Sequence, residues 1–66
     1  MRVNVNGEPR DLPNAMTIAD LIAQLGLSER RIAVELNLDI VPREDYSARQ
    51  LRDGDAVEVV HFVGGG

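Results

Sequence analysis

The segment Thr-Ile-Ala-Asp-Leu-Ile-Ala-Gln-Leu-Gly, residues 17–26, decides the fold that we expect for this 66-residue chain. Thr17 and Asp20 have the spacing of a capping box, in which each side chain bonds the other residue's backbone N–H group at the start of a helix. Gly26 favours the left-handed conformation that ends a helix. The apolar residues between them recur at helical spacing, at Ile18, Leu21, Ile22 and Leu25. The sequence therefore predicts one amphipathic helix that covers one face of a sheet.

A β-hairpin is predicted before this helix. Residues 2–5 alternate polar and apolar side chains, and Asn6-Gly7 after them favours the positive φ angles of a type I′ turn. The second arm, residues 8–12, contains Pro9, which cannot donate a ladder hydrogen bond and belongs at a strand start or on an edge. We expect this arm to end at Pro13 and Asn14.

Two more strands are predicted after the helix. Residues 32–37 alternate again and predict an interior strand whose core residues are Ile32, Val34 and Leu36. The pair Ile40-Val41 predicts a brief edge strand, because Pro42 ends it. Residues 43–51 are polar and predict a loop or a single helical turn anchored by Tyr46 and Leu51. Residues 53–55, Asp-Gly-Asp, predict a tight turn.

The last predicted strand runs from Ala56 to about Val63 and leads into three glycines, Gly64, Gly65 and Gly66. Glycine loses more backbone entropy on ordering than any other residue, so we expect residues 64–66 to form a flexible tail after a single domain of residues 1–63. Period-two alternation places Val57 and Val59 on the face toward the helix and Val60 and Phe62 on the opposite face. Val60 and Phe62 are therefore predicted to be an exposed docking patch beside the tail.

Composition excludes several classes of function. The formal charge of −4 without a basic cluster argues against nucleic-acid binding, and the short apolar runs argue against a membrane span or a signal peptide. We expect a soluble, cytoplasmic chain with no membrane partner. The absence of cysteine excludes disulfides and thiolate metal ligands, and a single histidine, His61, cannot build a metal site alone. His61 is interpreted as a strand residue at the rim of the sheet, and the chain is not expected to be an enzyme.

A set of motifs resembles the thiamine-biosynthesis sulfur carrier family, ThiS. The motifs are Asn37, Ile40-Val41-Pro42-Arg43, Tyr46, Leu51, Asp53-Gly54-Asp55 and a β-branched strand that leads into a terminal diglycine. The resemblance covers nearly the whole chain. Terminal glycines are shared with ubiquitin and the molybdopterin sulfur carrier, whereas the Val-Pro-Arg segment, the aromatic after it and the short length favour the thiazole branch. The resemblance implies an α+β, β-grasp (ubiquitin-like) fold with a mixed four- to five-stranded sheet and one helix on one face.

The resemblance also implies a chemistry for the C-terminus. A ThiF-type, E1-like enzyme would use ATP and magnesium to adenylate the Gly66 carboxylate, and sulfur from a persulfide donor would displace AMP to leave a thiocarboxylate. A ThiG-type thiazole synthase would accept the sulfur, and the chain itself would bind no cofactor. Residue chemistry agrees, because a carboxylate of pKa about 3.5 is ionised at neutral pH and is a poor electrophile until it is activated. Gly64 and Gly65 lack a Cβ and suit a narrow tunnel in a partner.

Two alternatives remain open from the residues. The same chemistry would serve a carrier for molybdopterin or another metabolite, and a ubiquitin-like interaction module would bind through the open face of its sheet and leave its tail idle. The chain also departs from the family in one place, because Gly64 precedes the final diglycine where the family usually has another residue. We expect this glycine only to lengthen the tail.

Overall fold

A computed structural model describes residues 1–62 of the chain and contains a five-stranded sheet and one α-helix. The strands are β1 (Arg2–Val5), β2 (Glu8–Asp11), β3 (Ile32–Leu36), β4 (Asp39–Val41) and β5 (Ala56–His61), and the helix is α1 (Ile18–Gln24). Two 3₁₀ turns, Glu29–Arg31 and Arg43–Asp45, lie in the connections. The predicted order of elements is confirmed. The first 3₁₀ turn was not predicted; it begins where the Ser28 hydroxyl accepts the Arg30 N–H.

The sheet has the strand order β2-β1-β5-β3-β4. Strands β1 and β5 are parallel, and the other neighbours are antiparallel. The last strand in the sequence therefore lies in the middle of the sheet. Pro9 lies on the edge strand β2, as predicted, where its missing N–H is tolerated. A mixed sheet with one helix on one face is the β-grasp arrangement, and this predicted fold class is confirmed.

Helix α1 begins with the predicted capping box. The Thr17 hydroxyl accepts the Asp20 N–H at 3.1 Å, and the Asp20 carboxylate accepts the Thr17 N–H at 3.0 Å. Gly26 follows the helix at φ +74°, where a Cβ would be strained. The predicted apolar face is confirmed, since Ile18, Leu21 and Ile22 are buried and Leu25 at the C-cap is partly buried.

The core lies between this helix and the inner face of the sheet. Its residues are Val3, Val5, Leu12, Ile18, Leu21, Ile22, Ile32, Val34, Leu36, Val41, Tyr46, Leu51, Val57 and Val59. The polar loop of residues 43–51 is anchored by Tyr46 and Leu51, as predicted. The Tyr46 carbonyl accepts the Ala19 N–H at 2.9 Å, and Leu51 N–H donates to the Met16 carbonyl at 2.8 Å. Burial raises the pKa of the Tyr46 phenol, which therefore stays neutral inside the core at physiological pH.

Two hairpin turns have positive φ angles at both central residues, as a type I′ turn requires. The β1–β2 turn has Asn6 at φ 52° and Gly7 at φ 82°, which confirms its predicted type. The β3–β4 turn has Asn37 at φ 51° and Leu38 at φ 73°. Leucine is poorly suited to this conformation, and the Leu38 side chain is 87% exposed, so that packing offers little compensation.

We expect Leu38→Gly to raise the free energy of unfolding by about 0.5–1 kcal/mol, because glycine removes the steric cost of the left-handed conformation at some expense in chain entropy. For a domain of this size the melting temperature would rise by roughly 3–6 °C. Thermal unfolding followed by circular dichroism measures the change. Leu38→Ala is the control: it removes the same exposed side chain and keeps the strained φ, so it should give no comparable gain.

The predicted end of the last strand falls partly outside the described residues. Strand β5 ends at His61, whereas Val63 and the glycines at 64–66 lie beyond residue 62. The flexible tail and the domain boundary after residue 63 therefore stay predictions. Within residues 1–62, no helix has the length and the apolar character needed to cross a membrane.

Candidate functional site

The candidate site is the C-terminal half of β5 and the open face of the sheet around it. Strand β5 pairs with β1 through Asn4↔Ala56 and Val5↔Val57, and it pairs with β3 over its length from Val57 to His61. The start of β5 is therefore paired with β1 on one side and with β3 on the other. The chain leaves the sheet from this central strand, between the two edges.

Val60 and Phe62 lie where the sequence predicts them. Their side chains are 53% and 54% exposed, whereas Val57 and Val59 on the same strand are buried. On the neighbouring strand Ala33 is the register partner of Val60. Alanine is small, and it leaves the Val60 side chain accessible from the solvent. The prediction that Val60 and Phe62 are exposed is confirmed, and their role in docking stays a prediction.

Acidic side chains lie beside this apolar pair. Glu35 and Glu58 are directly opposite each other in the β3–β5 register. Like charges in this arrangement destabilise a sheet. The ion pair found within residues 1–62 is between Arg2 and Asp11, at 3.2 Å on strands β1 and β2, so neither glutamate is neutralised by it. The open face therefore combines apolar contact area with negative charge.

Sequence reasoning missed one apolar member of this face. Ile40 is 77% exposed, and its register partner on β3 is Glu35. Ile40 lies on an edge strand, as predicted, but the side of the sheet that it faces was not predicted. Alternation gave a signal, because Val41 next to it is buried and the two side chains must point to opposite faces.

Asn6 is a second residue whose contribution sequence reasoning missed. Its side-chain Oδ1 accepts the Val59 N–H at 2.7 Å, and its Nδ2 donates to the Val59 carbonyl at 3.3 Å. The sequence analysis treated Asn6 only as a turn residue. Its amide in fact connects the first hairpin turn to the strand that leads to the C-terminus.

His61 has the position that the sequence predicts. It is the last residue of β5, its side chain is exposed, and its backbone is in register with Ile32. No side-chain hydrogen bond of its ring occurs among residues 1–62. The remaining predicted site residues, Gly64, Gly65 and Gly66, lie outside the described residues.

Comparison with known proteins decides the family. The sequence model of the ThiS family matches residues 3–66 of the chain, and thus includes the terminal glycines. The chain belongs to the ThiS family. This assignment confirms the resemblance found in the motifs around Pro42, Tyr46 and Gly54.

Individual relatives agree with the family assignment. The chain is 46% identical over 50 residues to the sulfur carrier protein ThiS of Bacillus subtilis, with 76% of each chain covered. It is 39% identical over 62 residues to the sulfur carrier protein ThiS of Thermus thermophilus, which covers 94% of this chain and 95% of the relative. The crystal structure of the thiamine biosynthesis protein ThiS from Geobacter metallireducens superposes with a TM-score of 0.84 at 35% identity over all of both chains.

A third kind of relative is much longer. The chain is 44% identical over its full 66 residues to the thiazole synthase of Paramagnetospirillum magneticum, and 41% identical to that of Magnetococcus marinus. In both cases it spans about a fifth of the relative's length, 20% of each. Those two synthases therefore contain a segment that resembles this whole chain.

Proposed function

We propose that the chain is a sulfur carrier in thiamine (thiazole) biosynthesis and that its working group is the C-terminal carboxylate of Gly66. The observation that carries the proposal is the ThiS family match, which continues through the last glycine. The position of β5 supports it, because the segment that leads to the terminal glycines leaves the sheet from its central strand. The carrier acts as a protein cosubstrate, and the catalytic groups belong to its partner enzymes.

The proposed loading takes place in three steps. A carboxylate oxygen of Gly66 attacks the α-phosphorus of ATP, pyrophosphate leaves, and a mixed anhydride with AMP forms. In the second step the outer sulfur of a persulfide donor displaces AMP at the carbonyl carbon and forms an acyl disulfide. A thiol then attacks the donor sulfur of this acyl disulfide, so that a new disulfide forms and the thiocarboxylate leaves. The first step is needed because a free carboxylate is a poor electrophile. The ThiF-type, E1-like partner binds the ATP and the magnesium. We also propose that the chain is cytoplasmic, because ATP is available there.

The proposed docking surface for this partner is the open face near the tail. Val60 and Phe62 supply exposed apolar area, and Glu35 and Glu58 supply negative charge beside it. The direct opposition of Glu35 and Glu58 lowers the stability of the sheet. This cost favours a role for the two side chains in recognition. The matching partner surface is apolar with basic residues at its rim.

The proposed sulfur acceptor is a ThiG-type thiazole synthase. Support comes from the two thiazole synthases that contain a segment similar to this chain over all 66 residues. When a carrier-like segment and a synthase are parts of one polypeptide, the segment has a high effective concentration at the synthase. A separate carrier of the same family would have to bind its synthase as a second protein.

The proposed function is tested by the intact mass of the purified chain before and after incubation. The incubation contains a ThiF-type adenylating enzyme, ATP, magnesium, a persulfide donor and a thiol reductant. We expect a mass gain equal to the replacement of one oxygen by one sulfur, located on the C-terminal peptide. No mass gain with an enzyme that loads another ThiS protein under the same conditions would contradict the proposal and favour the molybdopterin carrier or the interaction module.

A further inference from the structure

The parallel pairing of β1 with β5 ends earlier than β5 itself. The Asn6 N–H donates to the Val57 carbonyl at 2.8 Å, and the chain then turns away at Gly7 toward β2. Strand β5 continues to His61. The N–H and carbonyl groups of Val59 point to the side that β1 has just left, and buried backbone groups without partners are costly.

The Asn6 side chain bonds the Val59 backbone groups that the backbone of β1 no longer reaches. A primary amide carries the same donor and acceptor as a peptide group. Oδ1 accepts the Val59 N–H at 2.7 Å, and Nδ2 donates to the Val59 carbonyl at 3.3 Å. The side chain thus extends the parallel ladder by one step after the backbone of β1 has left the sheet. Both bonds are partly buried, which limits competition from water.

Val59 is therefore the last residue of β5 that is held from both sides. Farther along, His61 is in register with Ile32 of β3, and the Phe62 N–H donates to the Arg31 carbonyl at 2.7 Å. On the β1 side, residues 1–62 provide no backbone partner beyond Asn6. Beyond the Asn6–Val59 contact, β5 is held from the β3 side alone within the described residues, so loss of the Asn6 amide would allow its last residues to shift.

The distance from this contact to the start of the predicted tail makes its geometry important. Residues 60–62 continue for three residues after Val59, which is about 10 Å of extended chain. A rotation of about 10° at Val59 would displace Phe62, from which the chain continues toward the tail, by about 2 Å. Catalytic steps are sensitive to misplacement of a reacting group by about 1 Å.

We propose that Asn6 is a positioning residue for the C-terminal carboxylate, and that its amide fixes the direction of β5 so that Gly66 reaches the adenylating centre of the partner. This inference rests on the proposed function. Asn6 lies far from the reacting atoms along the chain and acts only through Val59. Loss of its amide should therefore reduce the rate of loading in the docked complex more than it reduces docking, since Val60 and Phe62 are also held by β3.

The chain contains a matched control at the opposite end of β5. Asn37 occupies the same position of the other type I′ turn, at φ 51° against 52° for Asn6. Its Oδ1 accepts the Ala56 N–H at 2.9 Å, and its Nδ2 donates to Asp55 at 3.1 Å. Glycine tolerates the positive φ at both sites, so Asn6→Gly and Asn37→Gly each remove one amide and keep the turn.

The experiment measures kcat and KM for thiocarboxylate formation by a ThiF-type enzyme, with the full chain as the varied substrate. ATP, magnesium, a persulfide donor and a thiol reductant are held constant. Intact mass is the readout, at a temperature well below every melting transition. Asn6→Gly should lose more thermal stability than Asn37→Gly, because the Asn6 bonds are partly buried whereas those of Asn37 are exposed. We expect Asn6→Gly to lower kcat about tenfold with KM changed less than about threefold, and Asn37→Gly to stay within about twofold of the parent chain. Asn6→Asp keeps the acceptor for the Val59 N–H and should recover part of the rate.

Amide hydrogen exchange supplies an independent readout. Asn6→Gly should speed exchange at Val59, and Asn37→Gly should speed it at Ala56 instead. Equal kinetic constants for the two glycine variants, or a parent-like kcat for Asn6→Gly, would overturn the positioning role while the parent chain still loads sulfur. A parent chain that gains no sulfur would overturn the proposed function, and the positioning role with it.

Discussion

Removal of all three terminal glycines, Gly64 to Gly66, is expected to abolish sulfur loading and to leave the fold intact. The core residues all lie between Val3 and Val59, so the truncation removes no side chain from the core. The shortened chain ends at Val63, whose β-branched side chain cannot approach a nucleotide as closely as a glycine backbone can. Intact mass reports loading, and circular dichroism with thermal unfolding reports the fold. Loading of the truncated chain at the parent rate would contradict the assigned role of the glycines.

A chain shortened by a single glycine is the matched control for tail length. Whichever glycine is removed, the product is the same and ends in Val63 followed by two glycines. This is the usual ending of the family, so we expect it to be loaded. The ratio of its sulfur-loading rate to that of the parent chain measures how much the additional glycine contributes to loading. A loss as complete as that of the triple truncation would show that the tail length, and not the diglycine, is essential.

The helix and the type I′ turn between β1 and β2 could be predicted from the sequence because their signals are local. The capping box of Thr17 and Asp20 lies within four residues, and the Asn6-Gly7 turn lies within two. Such short segments choose their conformation largely from their own steric and hydrogen-bonding preferences. The same applies to the exposure of Val60 and Phe62, because alternation along one strand is enough to assign its two faces.

The features that escaped prediction depend on contacts between distant parts of the chain. The opposition of Glu35 and Glu58 requires the register of two strands, which no local pattern supplies. The bonds between Asn6 and Val59 join residues that are 53 positions apart. An asparagine before a glycine is already explained by the turn, so its second role has no separate signal in the sequence.

Leu38 shows the opposite case, in which local preference and structure disagree. An exposed leucine at φ 73° is unfavourable both for the turn and for solvation. Asn37 nevertheless makes the turn possible, because its own φ is positive and its side chain bonds the start of β5 at Ala56. The tertiary contact therefore outweighs the unfavourable φ of Leu38, and β3 and β4 form at the two segments that the sequence predicts as strands.

Phe62→Thr is expected to weaken binding to the adenylating enzyme by about thirtyfold, a loss of about 2 kcal/mol, which is typical of an aromatic anchor in a protein interface. The Phe62 side chain is 54% exposed in the free chain, so the substitution should change the free energy of unfolding by less than about 0.5 kcal/mol. Isothermal titration calorimetry with the enzyme measures the affinity, and thermal unfolding of the variant verifies its stability.

Ile40→Thr is the matched control for Phe62→Thr. Ile40 is also a large exposed apolar residue on the open face, at 77% exposure, but it lies on the edge strand β4. Between it and the central strand β5 lies Glu35 of β3. If the partner docks around the base of the tail, Phe62→Thr weakens binding strongly and Ile40→Thr weakens it little. Equal losses of affinity would show that the docking surface extends across β3 to the edge of the sheet. Parent-like affinity of Phe62→Thr would contradict the proposed docking patch, because a partner that binds around the end of β5 must contact the Phe62 side chain.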